Sequence, residues 1–317
     1  MDNPHTRSTV SVCIVTYNSA SDIEDCLHAV QKQSFSALRT IVIDNASTDR
    51  TREIVAKFSD SVQFVVNTTN NGFAGGQNQA IALAGSDYVL VLNPDVVLDP
   101  DYVAILVAFM DKHQHVGSAT GQLVSADQPD RMDSAGLALR LDRNALDLAA
   151  GEPASSWTES REVFGVSGAA AFYRMRMIEE VSYEGQFFDE TYFAYKEDVD
   201  VAWRARHLGW SSWYVSEAKA KHRRGWQQKN RQSIPLFVRR HSYQNRFYTL
   251  FKNEPISWHL IGIVPIILAV EAAKLGYILL RERGLLASWP TIFRTLPSML
   301  RKRRWTFRKK KAKHVEH

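Results

Sequence analysis

Residues 187–203, FFDETYFAYKEDVDVAW, set five carboxylates among aromatic side chains: Asp189, Glu190, Glu197, Asp198 and Asp200. Aromatics at that density predict a partly buried, stacked environment. A carboxylate there is costly unless it holds a proton, a cation or a hydrogen bond. One chemistry that needs such a group is general-base catalysis beside a metal-bound leaving group. The alternative is a solvated acidic turn ahead of a helix, with Asp198 and Asp200 favouring the helix N-terminus. The rest of the chain decides between them.

A base needs a scaffold, and the N-terminal part of the chain supplies one. Apolar runs of strand length occupy residues 10–17, 39–44, 62–67 and 88–92. Helical periodicity marks 21–33, 48–58, 72–84 and 100–113, the third helix opening on a glycine-rich turn. Strands alternating with helices predict right-handed crossovers and a mainly parallel sheet with helices on both faces. Residues 123–157 are polar and less regular and read as an insertion or acceptor-side loop. Residues 163–173 return to strand or strand–turn character, with small residues that let a ligand or backbone approach. A helix over 198–208 closes on Gly209, then strands cover 210–215 and 219–224, and long helices follow from about 231.

Every polar signal in the first half falls at a strand end. Thr16-Tyr17-Asn18 follows the first strand and Asp44-Asn45-Ala46-Ser47-Thr48-Asp49 the second. The glycine-rich run 70–78 follows the third and Asn93-Pro94-Asp95 the fourth. Each alone is an ordinary turn or cap. Four on one sheet edge mark the place where ligands gather on such sheets. GFAGGQN is neither the dinucleotide fingerprint nor the P-loop, since it lacks GxGxxG and GK[ST].

Together the segments VSVCIVTYNS, VIDNASTD, NNGFAGGQNQAI, VLNPDVVL and FFDETYFAYKEDVDVAWRARHLGW resemble the inverting GT-A glycosyltransferases of family 2. The closest likeness is to their bacterial rhamnosyltransferase-like branch, over roughly residues 8–225. The resemblance implies a Rossmann-like nucleotide-diphospho-sugar transferase fold over 1–230, with a donor half about 8–120 and an acceptor and catalytic half about 121–230. It implies that Thr16, Tyr17 and Asn18 line the nucleotide pocket. Asp44 would accept from the N3–H of uracil or thymine, with Asn45 and Asn78 assisting around base, ribose or sugar. Asp95 would ligate Mg²⁺ or Mn²⁺ bridging the two phosphates, with His222 completing the metal site. Asn93 stands where the family motif has its first acid. Asp198 matches the catalytic base, and Glu197 would bind the acceptor or orient it. Arg204 and Trp203 are candidates for acceptor or phosphate contact, a structural salt bridge and core packing being their alternatives.

The donor would be dTDP-L-rhamnose or a UDP-sugar, and the acceptor a polyprenyl-diphosphate-linked glycan. Two other readings use the same features. A nucleotidyltransferase would need a glycine-rich, basic triphosphate loop near the N-terminus, which residues 16–23 are not. A non-catalytic membrane scaffold that binds nucleotide sugar would keep the fold without turnover, and Asn93 is its one encouragement.

Composition agrees with an enzyme: 45% hydrophobic and 23% charged residues exclude a disordered chain. Cys13 and Cys26 lie in apolar patterns and read as buried thiols rather than a disulfide. The polar N-terminus has no apolar signal region, which predicts no secretion. The formal charge of +5 hides a run from 294 to 313 with many Lys and Arg and no acid, read as a surface-binding arm. Its neighbour, 259–280, is apolar but interrupted by Pro265, Glu271 and Lys274, and reads as an amphipathic helix in the membrane interface. Residues 231–317 therefore form a helical, basic, membrane-associating region that meets an anionic membrane surface rather than nucleic acid. A peripheral position on the cytoplasmic face of a bacterial inner membrane is expected.

Overall fold

Apolar runs and amphipathic helices alternate through the N-terminal third, and the chain winds them into parallel β-structure. The structure, a computed structural model, describes residues 8–224, 234–256 and 258–315. The order begins β1 (Val10–Thr16), α1 (Ile23–Gln31), β2 (Leu38–Asp44), α2 (Thr51–Ala56), β3 (Val62–Val66), α3 (Gly72–Ala84) and β4 (Tyr88–Leu92). It continues with β5 (Val96–Leu98), α4 (Tyr102–Lys112), β6 (Val116–Ser125), β7 (Met132–Ser134), β8 (Leu137–Leu139), β9 (Ala145–Asp147) and β10 (Arg161–Val163). Then come β11 (Ala170–Arg174), α5 (Met175–Val181), α6 (Glu197–His207), β12 (Ser211–His222), α7 (Leu236–Asn253), α8 (Trp258–Arg281) and α9 (Trp289–Val315).

The main sheet runs β10-β12-β6-β11-β4-β1-β2-β3. The block β4-β1-β2-β3 is parallel throughout. β11 inserts antiparallel between β4 and β6, so the second half is mixed. Side chains alternate across the pleat. Val12, Ile14, Leu90 and Leu92 meet α1 and α4 on one face. Cys13, Ile41, Val89 and Val91 meet α3, α5 and α6 on the other. Burial on both faces is why these strands read as unbroken apolar runs. Cys13 and Cys26 are free and buried.

Three segments differ from the sequence expectation. The stretch 123–157 carries β7, β8 and β9, with a small core of Met132, Ala135, Ala149 and Trp157 against Tyr214. Its strands are three residues long, too short for alternation to be visible. The two strands expected over 210–224 are one, β12, with an irregularity between Val215 and Lys219. The strand expected over 163–173 divides into β10 and β11, separated by the loop that carries Gly165 and Gly168.

The basic C-terminal run is not a free arm. It forms most of α9, which docks on the sheet domain through Lys302, Met299 and Thr306, all buried. Lys302 Nζ sits 2.6 Å from Asp189, and Lys313 pairs with Glu180 at 2.7 Å. A buried carboxylate at 189 needs a cation, and α9 supplies it. Helix α8 is continuous through Pro265, and Gly262–Arg281 is long and apolar enough to cross a membrane by length and composition. Its two interior charges face inward: Glu271 pairs with Arg246, and Lys274 lies 3.2 Å from Glu271 and from Asn144. Leu268, Leu275, Leu279 and Leu280 are exposed. Contacts between α7 and the loop before α6 cross the boundary expected at residue 230, as the site shows.

Candidate active site

The structure sorts the five carboxylates of 187–203 by what each is given. Asp189 and Asp200 are given cations. Lys252 Nζ lies 2.8 Å from both, Lys302 adds to Asp189, and Arg204 bonds Asp200 at 2.9 Å. Burial disfavours both charges, but these cations outweigh it and hold both carboxyls below the usual range. Glu190 accepts from Asn78 at 3.0 Å. Glu197 and Asp198 remain, with no cation bound to either among the described residues.

Glu197 is buried, and its Oε2 has no hydrogen-bond partner among the described residues. Burial and the charge of Asp198 push its carboxyl up to about 8. Burial also raises Asp198, against hydrogen bonds from the N–H of Gly168 (3.1 Å) and Val199 (2.7 Å). The doublet therefore shares one proton near neutrality, with Glu197 holding it and Asp198 ionised first. A buried acid costs most when both members ionise, so the protein keeps one neutral.

The doublet is aimed by a strained loop. Phe193, Tyr195 and Lys196 all have positive φ, a costly backbone that persists only where neighbours enforce it. Asn245 of α7 enforces it by donating to the carbonyls of Tyr192, Ala194 and Tyr195. Ala74 N–H donates to Phe193 O at 3.1 Å from the start of α3. A Cβ on Gly72, itself at φ +72, would stand 2.4 Å from that same oxygen. Gly72 thus lets the loop at 193–196 pack against the start of α3.

One dipeptide ties this doublet to the opposite motif. Gly168 N–H holds Asp198, and the carbonyl of the next residue, Ala169, accepts from Asn93 N–H at 2.8 Å. Asp198 and Asn93-Pro94-Asp95 are thus fixed across a shared backbone segment. Sequence reasoning noted only small residues there.

The remaining strand-end residues divide. Asp44 is fully buried, and it accepts from Thr16 Oγ1 (3.1 Å), Ser47 N–H (3.0 Å) and Arg52 Nε (2.8 Å). A carboxylate offers about four acceptor positions, so one is left. Arg52, not anticipated from sequence, is the partly exposed residue that covers it. Tyr17 is exposed at the rim. Asn18 braces the neighbouring loop, its Oδ1 accepting from Thr48 N–H at 2.8 Å.

Four expected ligand contacts are corrected. Asn45 is buried and spends its amide on Gly72 O and Asn67, joining three loops. Asn78 binds both the N–H and the carbonyl of Phe188, pinning the acidic segment to α3. Arg204 is buried, with its guanidinium committed to Asp200, Val181 O and Phe187 O. Trp203 is buried with its ring edge-on to Phe164, which is core packing. The polar groups of Asn45, Asn78 and Arg204 are thus engaged within the protein.

Asp95 and His222 are brought together by register. β5 pairs antiparallel with β12, setting His222 opposite Val96 and beside Asp95. His222 Nε2 lies 3.3 Å from Asp95 Oδ1, a buried oxygen with no hydrogen bond among the described residues. His222 Nδ1 is 2.7 Å from Asp133 Oδ2, and Arg224 backs Asp133 at 2.6 Å. Burial disfavours a charged imidazole, but Asp133 and Asp95 push His222 up to about 9. The pair thus favours positive charge beside Nε2, where a divalent cation would replace the proton. An orphan carboxylate oxygen, an imidazole nitrogen and a carboxylate behind the ring fit such an ion. The described residues contain no cluster of three acid, His or Cys ligands, so phosphate oxygens and water would complete the shell. Asp133, in the irregular insertion, carried no sequence signal.

Comparison with known proteins bears on the fold and the family. The chain is similar to the N-acetylglucosaminyl-diphospho-decaprenol L-rhamnosyltransferase of Mycobacterium tuberculosis, with 27% identity over 234 residues, 67% of this chain and 75% of that protein. Its fold is similar to S. aureus TarS 1-349 in complex with UDP (TM-score 0.58, 17% identity, 96% of this chain and 88% of that one). The match to a longer TarS chain covers 43% of it. The mannosyltransferase PcManGT of Pyrobaculum calidifontis, in complex with GDP-Man and Mn2+, also shares the fold (TM-score 0.57, 17% identity, 99% and 88%). The family model of glycosyl transferase family 2 matches residues 11–182, more than half of the chain. By that match and by the GT-A architecture just described, the chain belongs to glycosyl transferase family 2.

Proposed function

We propose that this glycosyltransferase moves a sugar from a nucleoside-diphosphate donor to a lipid-linked glycan with inversion, and that L-rhamnose from dTDP-L-rhamnose is the sugar. The observation that carries the mechanism is the Asp198 carboxylate, short of cations and linked through Gly168–Ala169 to the Asn93–Asp95 turn. Asp198 takes the proton of the acceptor hydroxyl as that oxygen attacks the anomeric carbon. The bond from that carbon to the diphosphate oxygen breaks, and the nucleoside diphosphate leaves with the electron pair. Glu197, holding its own proton, keeps the second negative charge away until Asp198 is spent. A divalent ion held by Asp95 and His222 would supply charge neutralisation at the diphosphate. Asp44 and Tyr17 would hold the base and Thr16 would hold Asp44.

The similarity to a rhamnosyltransferase named for a diphospho-decaprenol acceptor supports both sugar and acceptor class. The inward-turned charges and exposed leucines of α8 support a peripheral position on the membrane that would hold such a lipid. Polysaccharide or cell-wall assembly at the cytoplasmic face is the setting this implies. A UDP-sugar donor is the second reading, because Asp44 meets an edge that thymine and uracil share. Purified protein offered dTDP-rhamnose and a set of UDP-sugars, with and without Mg²⁺ or Mn²⁺, decides between them. Metal-dependent release of dTDP is expected. Turnover of a UDP-sugar alone would discard rhamnose and keep the mechanism.

Two further outcomes are expected. The transfer rate rises with pH as Asp198 gives up its proton, above the ordinary aspartate value of 3.8 because burial raises it. Glu197→Gln fixes the neutral form that Glu197 already holds while Asp198 titrates, so that rise stays in place; a rise moved to lower pH would show that Glu197 is ionised beside Asp198. Asp133→Asn weakens Mn²⁺ affinity, measured with nucleoside diphosphate present, by about 10–100-fold. An unchanged affinity would remove His222 from the metal site.

A further inference from the structure

A cavity of about 550 Å³ lies away from the donor edge: none of Thr16, Tyr17, Asp44, Asn93 or Asp95 lines it. It lies between the Tyr195–Lys196 turn, α7 and α8. Four cations line it, Lys196, Arg239, Arg246 and Lys274, and no acid does among the described residues. Arg246 and Lys274 share Glu271 behind the wall, and Arg239 pairs with Glu282 at 3.2 Å. Lys196 Nζ has no hydrogen bond or salt bridge to any described residue. The acids that answer these four cations stand outside the lining, so the surface of the cavity favours an anion such as a diphosphate. Burial lowers both Lys196 and Lys274; Asp198 and Asp147 raise Lys196, Glu271 and Asp142 raise Lys274, and Arg246 lowers both.

The rest of the wall is of the opposite character. Val238, Tyr243, Ala273, Tyr277 and Ile278 give it an apolar side. That side ends on α8 at Tyr277, which is exposed, as is Leu280 three residues further on the neighbouring strip of the helix. Lys196 is two residues from Asp198. A ligand with an anionic head at Lys196 and a hydrocarbon tail along α8 would present its next group to the base.

We propose that this cavity binds the diphosphate and first isoprenoid units of a membrane-embedded prenyl-diphosphate acceptor. The inference rests on the reading above that the acceptor is lipid-linked, and adds where and by which residues it is held. Lys196 and Lys274 bind the diphosphate, and Tyr277 and Ile278 receive the isoprenoid.

The test titrates farnesyl diphosphate into the full chain in detergent, beside farnesol, inorganic diphosphate and phosphatidylglycerol vesicles. Wild type, Lys196→Ala and Lys274→Ala are compared, and nucleotide affinity and melting temperature report whether each is folded. Farnesyl diphosphate is expected to bind, inorganic diphosphate and farnesol to bind at least about tenfold more weakly, and each variant to lose about tenfold. Equal binding of inorganic diphosphate would overturn the proposal in favour of a plain anion site. A parallel loss of vesicle binding by both variants would overturn it in favour of a general anionic-lipid surface. Variants that bind farnesyl diphosphate like wild type would remove the ligand from this cavity and leave a lipid-linked acceptor standing. Absence of wild-type binding would also overturn the site, and transfer of labelled sugar to extracted polyprenyl-linked glycan would judge the acceptor class separately.

Discussion

Replacing Asp198 by asparagine is expected to lower the transfer rate by about 10²–10⁴, the usual worth of a positioned base. At about 1.4 kcal/mol per factor of ten, that is roughly 3–5 kcal/mol of barrier. The substitution is nearly isosteric, and the asparagine oxygen still accepts from Gly168 or Val199 N–H. The loop at 193–196 is held by Asn245 and Ala74, not by Asp198, so its backbone stays in place. Donor-nucleotide affinity should therefore be unchanged. A rate loss of less than about tenfold would place the base elsewhere. A loss of nucleotide affinity alongside it would mean that the residue shapes the donor pocket instead.

Lys252→Ala should be the most destabilising single substitution in the C-terminal helices. It removes the one cation shared by Asp189 and Asp200, both almost fully buried. Asp189 keeps Lys302, and Asp200 keeps Arg204 and Asn253, so neither is wholly abandoned. Breaking one partner out of a buried ion network still costs about 3–5 kcal/mol. Chemical denaturation of wild type and variant measures it. A difference below about 1 kcal/mol would show that the network is solvated and that its charges are not the latch between α7 and the catalytic segment. The pH dependence has a definite sign. Asp189 and Asp200 have folded values below the ordinary 3.8, so their contribution is fully present above that value and is lost as the pH falls through the lower folded values. Lys252→Ala should flatten that acid limb.

The parallel half of the fold was legible because its strands are buried on both faces and its helices are amphipathic. Residues 72–84 and 88–92 were placed to the residue. At the site, the structure brings together two residues that sequence resemblance had paired. Asp95 and His222 were paired by resemblance, and the β5–β12 register brings them within 3.3 Å. Carboxylate roles within 187–203 were not separable from sequence, because the cations that neutralise Asp189 and Asp200 come from residues 252 and 302. Asn45 and Asn78 looked like ligand contacts because amides suit both ligands and loop braces, and only their partners tell these apart. The α9 tail was misread for the same reason: a lysine-rich run shows its charge but not the buried acid it answers. Asp133, Arg52 and the Gly168–Ala169 link act through tertiary neighbours and left no local pattern.

The configuration of the product tests the central claim most directly. The anomeric centre of the glycan formed by the purified enzyme can be read by proton NMR against that of the donor. Direct attack by a hydroxyl deprotonated by Asp198 gives the opposite configuration, and Asp198→Asn gives little product of either kind. Retention of the donor's configuration would require a double displacement or front-face attack, and would contradict the role assigned to Asp198.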